Sequence, residues 1–292
     1  MKIDPIASVL YSELVLSLYP LLIKGVSTNL FTQILARFGV FSILALIFGS
    51  SYDFTSIWGN PYESSVSFLH NIMNMGHIFV SYLSFKNLPI GTSIALFYLY
   101  PIFNLIFGSL LFGESLSIIS LLLIAVAFCG TYLIATSYHS KDQDKEEEKK
   151  YNFGVIMGLL SAFTETMLFI FVRSNTDAKQ SPFYTVNHIY LIGLVGLLAY
   201  GISHPTIIDH SSTNWAKLIG FNALLGFTGY IARFYSISNI PTIVFSLMSF
   251  IGVAFGYAWT ILFTEDKITM RALLGGGLIA GSIAILRYFD LQ

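Results

Sequence analysis

The ionisable residues that lie inside apolar runs of this chain are few, and they mark where chemistry can occur. Glu13 and Glu165 are the two carboxylates among them. Anchoring their runs on Lys24 and Arg173 places Glu165 opposite Leu16, one helical turn from Glu13, so the pair is expected at similar depth. A carboxylate withdrawn from water is suited to exchanging protons or to balancing a cationic ligand. The plainer alternative is local neutralisation, with Arg173 two turns from Glu165 as its partner.

A second group, His70, Asn74, His77 and Ser81, falls within roughly 60 degrees on one helical face, with Asn71 beside it. Such a stripe would be unsatisfied against lipid, so it is expected to face a water-filled space and to bind a ligand there. Hydrogen bonds between helices, worth about 0.6 kcal/mol each, are the structural alternative. No cysteine or acidic partner lies nearby in sequence, so no metal site is expected. Arg37 sits about two turns into another apolar run, too deep for an interfacial anchor. It suits bidentate binding of a carboxylate or phosphate, or capping of helix ends, and joins Glu13 and Glu165 as a candidate for coupling or charge compensation. Arg233 reads as the end of a helix, with a side chain that snorkels to the interface. No Ser/His/Asp or Cys/His constellation is supported by a motif, and Gly275-Gly-Gly277 lies in an apolar run and not after a strand. Neither an enzyme nor a cofactor site is expected.

The elements that must position these residues are membrane helices. The chain is 55% hydrophobic and 11% charged, with a mean hydropathy of +0.72, against about 25% charged residues in soluble domains. A net charge of −1 and the lack of a basic stripe exclude a nucleic-acid partner. Cys129 is the single cysteine and cannot form an internal disulfide. Ten segments are long enough to cross a bilayer, at about 6 to 24, 30 to 49, 67 to 86, 90 to 112, 117 to 137, 153 to 173, 183 to 203, 218 to 238, 241 to 263 and 268 to 288. The first has Glu13 in its middle and no small-residue cleavage site after it, so a signal peptide is not expected.

The chain repeats itself. Tyr82-Leu-Ser-Phe-Lys-Asn-Leu-Pro89 matches Phe234-Tyr-Ser-Ile-Ser-Asn-Ile-Pro241 at an offset of 152 residues, and the register holds from Gly113 and Glu114 to Glu265 and Asp266. The mixed charge run from Ser140 to Lys150 reads as a solvated connector. The expected domains are therefore a first five-helix repeat over 1–139, a linker over 140–152 and a second five-helix repeat over 153–292. An odd number of spans per half makes the second half enter from the opposite face. The expected fold is all-α, a polytopic membrane protein of ten transmembrane helices in two inverted repeats, with a site between the halves near the midplane. That cavity is expected to be lined by spans one, three, four, six, eight and nine.

Sidedness is balanced. Setting Arg37 aside, nine Lys and Arg lie on the linker side and five on the side of the termini, but four of the nine belong to the linker itself. Gly275, Gly276, Gly277 and Gly281 give small-xxx-small spacing suited to close contact within the bundle or in a homodimer.

Pro20-Leu-Leu-Ile-Lys24 followed by Ala36-Arg37-Phe38, then Asn87-Leu-Pro89, Tyr100-Pro101, Gly113-Glu114 and Leu116-Ser117, resembles the EamA-type ten-helix members of the drug/metabolite transporter superfamily. Asn239-Ile-Pro241 and Glu265 echo the pattern in the second half, with Gly252 and Val253 in place of Tyr100 and Pro101. The resemblance covers nearly the whole chain. It implies cytosolic termini, and cavity-lining roles for Tyr98, Tyr100 and Asn104 beside His70, Asn74 and His77. It also implies an integral, multi-pass protein in the lipid bilayer that moves a small-molecule substrate (an amino acid, nucleobase, amine or similar metabolite) by alternating access, with proton coupling an open option. The alternatives are a nucleotide-sugar or phosphorylated-solute antiporter, which needs basic residues converging on the cavity, and a scaffold or receptor without transport.

Overall fold

The computed structural model describes residues 4–49, 61–113, 117–136, 145–174, 181–264 and 269–290. Among these the chain forms ten helical spans and no strand. Span one, Pro5–Gly25, starts behind Asp4, whose carboxylate accepts from the Ile6 N–H, with Pro5 in the first turn where its missing donor costs nothing. It is followed by Leu30–Phe48, Pro61–Asn87, Ile90–Phe112, Ile118–Thr136, Lys145–Ser174, Pro182–Ser203, a span running from Ser212 to Asn239, Thr242–Phe263 and Met270–Asp290. Six of these are long and apolar enough to cross a membrane by composition alone. Spans three and eight are not among the six, because they carry the polar residues of the site. The protein is an integral, multi-pass membrane protein.

Side-chain contacts fix the direction of each pair that packs across the halves. Phe38 meets Gly193 while Phe31 meets Gly201, so spans two and seven run antiparallel. Spans four and nine do the same, with Gly108 on Thr242 and Ile94 on Gly256. So do spans five and ten, with Gly130 on Ile279 and Ile134 on Gly275. Each of these pairs joins a span to its own repeat equivalent, and antiparallel equivalents are what an inverted repeat produces. Further cross-half contacts are also related by the repeat, among them span one on span eight and span six on span three.

Three spans break near mid-membrane. Span one is interrupted at Ser17 and Leu18, where Pro20 removes a donor and crowds the Leu16 carbonyl. The Leu14 carbonyl released there accepts from Trp259 Nε1 of span nine at 3.0 Å. Span four breaks at Tyr98 and Leu99 ahead of Pro101. Span nine breaks at Phe250, 152 residues after Tyr98, although no proline follows. Span eight contains a π-turn over Asn222–Gly226. Gly113 ends span four in the left-handed region, at φ 66°, where a side chain would be strained.

Residues 145–150 differ from the expected connector. They form the first turns of span six, Lys145–Ser174, with Glu146, Glu147 and Glu148 placed where the helix dipole favours negative charge. Residues 140–144, Glu114, Glu265 and Asp266 lie outside the described residues. Gly275 is used inside the bundle, backbone against backbone with Gly130, whereas Gly276, Gly277 and Gly281 have open space where a Cβ would stand.

Candidate functional site

The site begins with a close approach of two helices. Gly229 of span eight has no Cβ to keep Val15 and Leu16 of span one away, so the next turn brings Arg233 level with Glu13. Arg233 Nη1 donates to Glu13 Oε1 at 3.0 Å. Its Nη2 lies 2.7 Å from Glu165 Oε1 of span six, so one guanidinium bridges both carboxylates. Glu13 is fully buried and Arg233 is 1% exposed. The break in span four turns two phenols onto Glu13, with Tyr98 donating to Oε2 at 2.6 Å and Tyr100 to Oε1 at 3.2 Å. The Tyr100 ring also lies 4.7 Å from the Arg233 guanidinium carbon, within cation–π range. Arg173, the partner expected for Glu165, instead donates to the Ile237 and Ile240 carbonyls at the end of span eight.

His77 completes the network from span three. Its Nε2 is 3.0 Å from Glu165 Oε2, an ion-pair distance without the alignment of a hydrogen bond. Its Nδ1 faces the Thr164 hydroxyl at 3.0 Å. Ser81, one turn on, meets Ser161 of span six at 2.6 Å.

Arg37 occupies a separate aromatic box. Tyr190 accepts from its Nε and Nη2 at 3.2 and 3.0 Å, and Tyr82 from Nη1 at 3.4 Å. The rings of Tyr19 and Tyr230 lie 4.7 and 4.6 Å from the guanidinium carbon. Among the described residues no carboxylate reaches Arg37. A cavity of about 30 Å³ separates the two arginines, room for roughly two water molecules. Arg37, His77, Ser81, Tyr98, Tyr230 and Arg233 are among its lining residues. The lining comes from spans one, two, three, four and eight, so span two replaces the expected spans six and nine.

The other expected residues sit elsewhere. Asn74 donates to the Ile189 carbonyl and Asn71 to the His188 carbonyl, fastening span three to span seven. His70 is half-buried with Nδ1 3.3 Å from His188 Nε2, its ring packed on Phe171. Asn104 is fully buried, with both amide atoms unpartnered. Sequence reasoning missed Arg233 and the four tyrosines around Arg37. The 152-residue offset was the available signal for Arg233, since it aligns that position with Ser81 on the polar face of span three.

On the linker side the halves are tied by a polar latch. Asn29 donates to the Ile207 carbonyl at 2.6 Å, Asn214 to the Ser27 carbonyl at 3.1 Å, and the Asp209 N–H to Thr32 Oγ1 at 3.0 Å.

Comparison with known proteins agrees with this architecture. Residues 152–288 match the EamA-like transporter family. An uncharacterized transporter of Bacillus subtilis, YxxF, is 24% identical over 202 residues, covering 69% of this chain and 63% of that protein. An uncharacterized transporter of Synechocystis sp. is 24% identical over 217 residues, covering 73% of this chain and 63% of that protein. Each match thus spans less than two thirds of the relative's length. A crystal structure of a protein with 13% identity superposes with a TM-score of 0.72 over 96% of this chain and 97% of its own, which shows the shared fold. The second repeat thus matches the EamA-like transporter family, and the chain is similar to two uncharacterized transporters over 69% and 73% of its length.

Proposed function

We propose that the protein is a secondary active transporter that moves a small organic metabolite by alternating access between its inverted halves. One observation carries this reading: Arg233 holds carboxylates from both repeats, Glu13 at 3.0 Å and Glu165 at 2.7 Å. Spans one and eight form one packed pair, spans three and six another, and Arg233–Glu165 is the charged bridge between them. Rocking of one pair against the other must break that bridge, and a ligand or proton that replaces the lost partner is thereby coupled to the motion. The polar latch closes the linker side, and the cavity is too small for a metabolite until the pairs separate. Glu13, Glu165 and Arg37 balance charge in this scheme, and His77, Tyr98 and Tyr100 line or border the space that a substrate would enter.

A second reading, a nucleotide-sugar or phosphorylated-solute antiporter, is favoured by Arg37, a buried cation without a carboxylate partner among the described residues. Proteoliposomes tested with radiolabelled amino acids, purines, polyamines and nucleotide sugars, with and without a proton gradient, separate the two. Gradient-driven uptake of a small metabolite supports the first reading. Uptake of nucleotide sugars alone supports the second, and no uptake of any of them counts against both.

A further inference from the structure

We infer that the coupled proton is taken up on His77, with Glu165 as its counter-charge, and that neither Glu13 nor Arg233 carries it. The two pairs of packed spans hold related contacts of unequal character. In the pair of spans one and eight, Glu13 faces an arginine, which stays charged. In the pair of spans three and six, Glu165 faces a histidine, the side chain whose charge changes most readily near neutral pH.

The surroundings of His77 accept both of its forms. Its Nδ1 faces the Thr164 hydroxyl at 3.0 Å, and its Nε2 faces the Ser81 hydroxyl at 3.4 Å, 3.0 Å from the Glu165 carboxylate. A hydroxyl can donate or accept. Toward the neutral ring, one hydroxyl donates to the bare nitrogen. Toward the imidazolium both must accept, and each hydroxyl has a carbonyl to turn to: Leu160 at 2.8 Å for Thr164 and the His77 backbone at 2.6 Å for Ser81. His77 therefore gains a proton without stranding a buried donor.

The other charges facing this space decide when the proton binds. Arg37 from span two and Arg233 from span eight oppose an imidazolium, Glu165 and Glu13 favour it, and the phenols of Tyr82, Tyr98 and Tyr230 are neutral dipoles. While Arg233 bridges to Glu165, that carboxylate is already matched. When the bridge opens, Glu165 is left to His77, and a proton on the ring restores the balance. Proton uptake is thereby tied to the opening of the two pairs, and proton release to their closing.

This inference rests on the transport reading, but its test needs no substrate, so a silent histidine in an active transporter is distinguished from a titrating histidine in an inactive one. Nitrogen-15 spectra of histidine-labelled protein in lipid nanodiscs, recorded from about pH 5 to 9, report the state of each ring. The His77 signals are identified by their loss in His77→Gln. In the intact protein, where the bridge is closed and both arginines oppose an imidazolium, His77 should take its proton only toward the acid end of this range or below it, and Arg233→Gln should raise its proton affinity at least tenfold. An unchanged His77 titration in Arg233→Gln, or a carboxylic-acid infrared band that Glu165→Gln removes, would overturn the inference. Should Arg233→Gln fail to fold, Thr164→Val decides: losing the acceptor for Nδ1–H should lower the proton affinity about fivefold, because bonds from charged donors are the stronger ones. No change there overturns the inference equally.

Discussion

Tyr98 lies in the space left by Gly252: a Cβ at Gly252 would fall on the Tyr98 phenol, whose hydroxyl holds Glu13 at 2.6 Å. The second repeat thus lacks a side chain where the first needs room to aim one. Gly252→Ala should displace Tyr98 and destabilise the protein by about 1–3 kcal/mol, the usual penalty of overpacking. Thermal unfolding in detergent is the measurement, with Gly276→Ala, where a Cβ meets nothing, as the unaffected control.

Removing the bridging cation should be costlier. Arg233→Met leaves two buried carboxylates without their shared partner and should cost about 3–5 kcal/mol. Adding Glu13→Gln and Glu165→Gln should recover part of the loss, because the uncompensated charges go with it. Denaturant titration in mixed micelles reports both numbers, and a triple variant no more stable than Arg233→Met would refute the pairing.

The aromatic box around Arg37 should respond to single hydroxyl deletions in a definite order. Tyr190 accepts two bonds from the guanidinium, at 3.2 and 3.0 Å, and Tyr82 one at 3.4 Å. Tyr190→Phe should cost about 1.5–3 kcal/mol, the range for bonds to charged groups, and Tyr82→Phe less. Equal stabilities of the two variants would show that the rings and not the hydroxyls hold Arg37.

Asp209 gives the latch a pH dependence. The Asn214 side-chain amide and the Ser211 N–H donate to its carboxylate and hold it below the ordinary carboxylate value. Its folded-state value is therefore lower than its unfolded one. The stabilisation is present above the unfolded value and is lost as the pH falls through the folded value. Protection of the amides around Asp209 against hydrogen exchange, taken relative to the intrinsic rate at each pH, should fall in acid below about pH 4. Asp209→Asn should make that acid response disappear.

The inverted arrangement can be read from the two proline turns. Single cysteines replacing Pro89 and Pro241 in a Cys129→Ala background should react with an impermeant thiol reagent from opposite faces of the membrane. Reaction from one face only would contradict the antiparallel contacts between spans four and nine.

The helical architecture was legible in the sequence because apolar length and a 152-residue repeat survive without knowledge of contacts. Pro20 and Pro101 stand just after two of the three breaks, but no proline follows the break at Phe250, where Gly252 packs on Tyr98 of span four. Glu13, Glu165 and His77 were legible as ionisable groups in apolar runs. Arg233 was not, because its predicted helix ended five residues beyond it and an arginine near a helix end reads as an interfacial anchor. Tyr19, Tyr82, Tyr190 and Tyr230 were hidden for a different reason. Tyrosine is abundant at membrane interfaces, and only the meeting of four helices distinguishes a cage from a belt.

The π-turn over Asn222–Gly226 carries one residue more than an α-helical ladder requires. Its polar contact is with Tyr19, whose hydroxyl donates to Asn222 Oδ1 at 2.8 Å. Deleting a single residue there, such as Ala223, would restore the ladder and turn the rest of span eight by about 100 degrees. Arg233 would then swing off both carboxylates with its own sequence and neighbours intact. The angular phase of the charge centre is thus stored in a residue count, a property that substitutions leave untouched and one deletion erases.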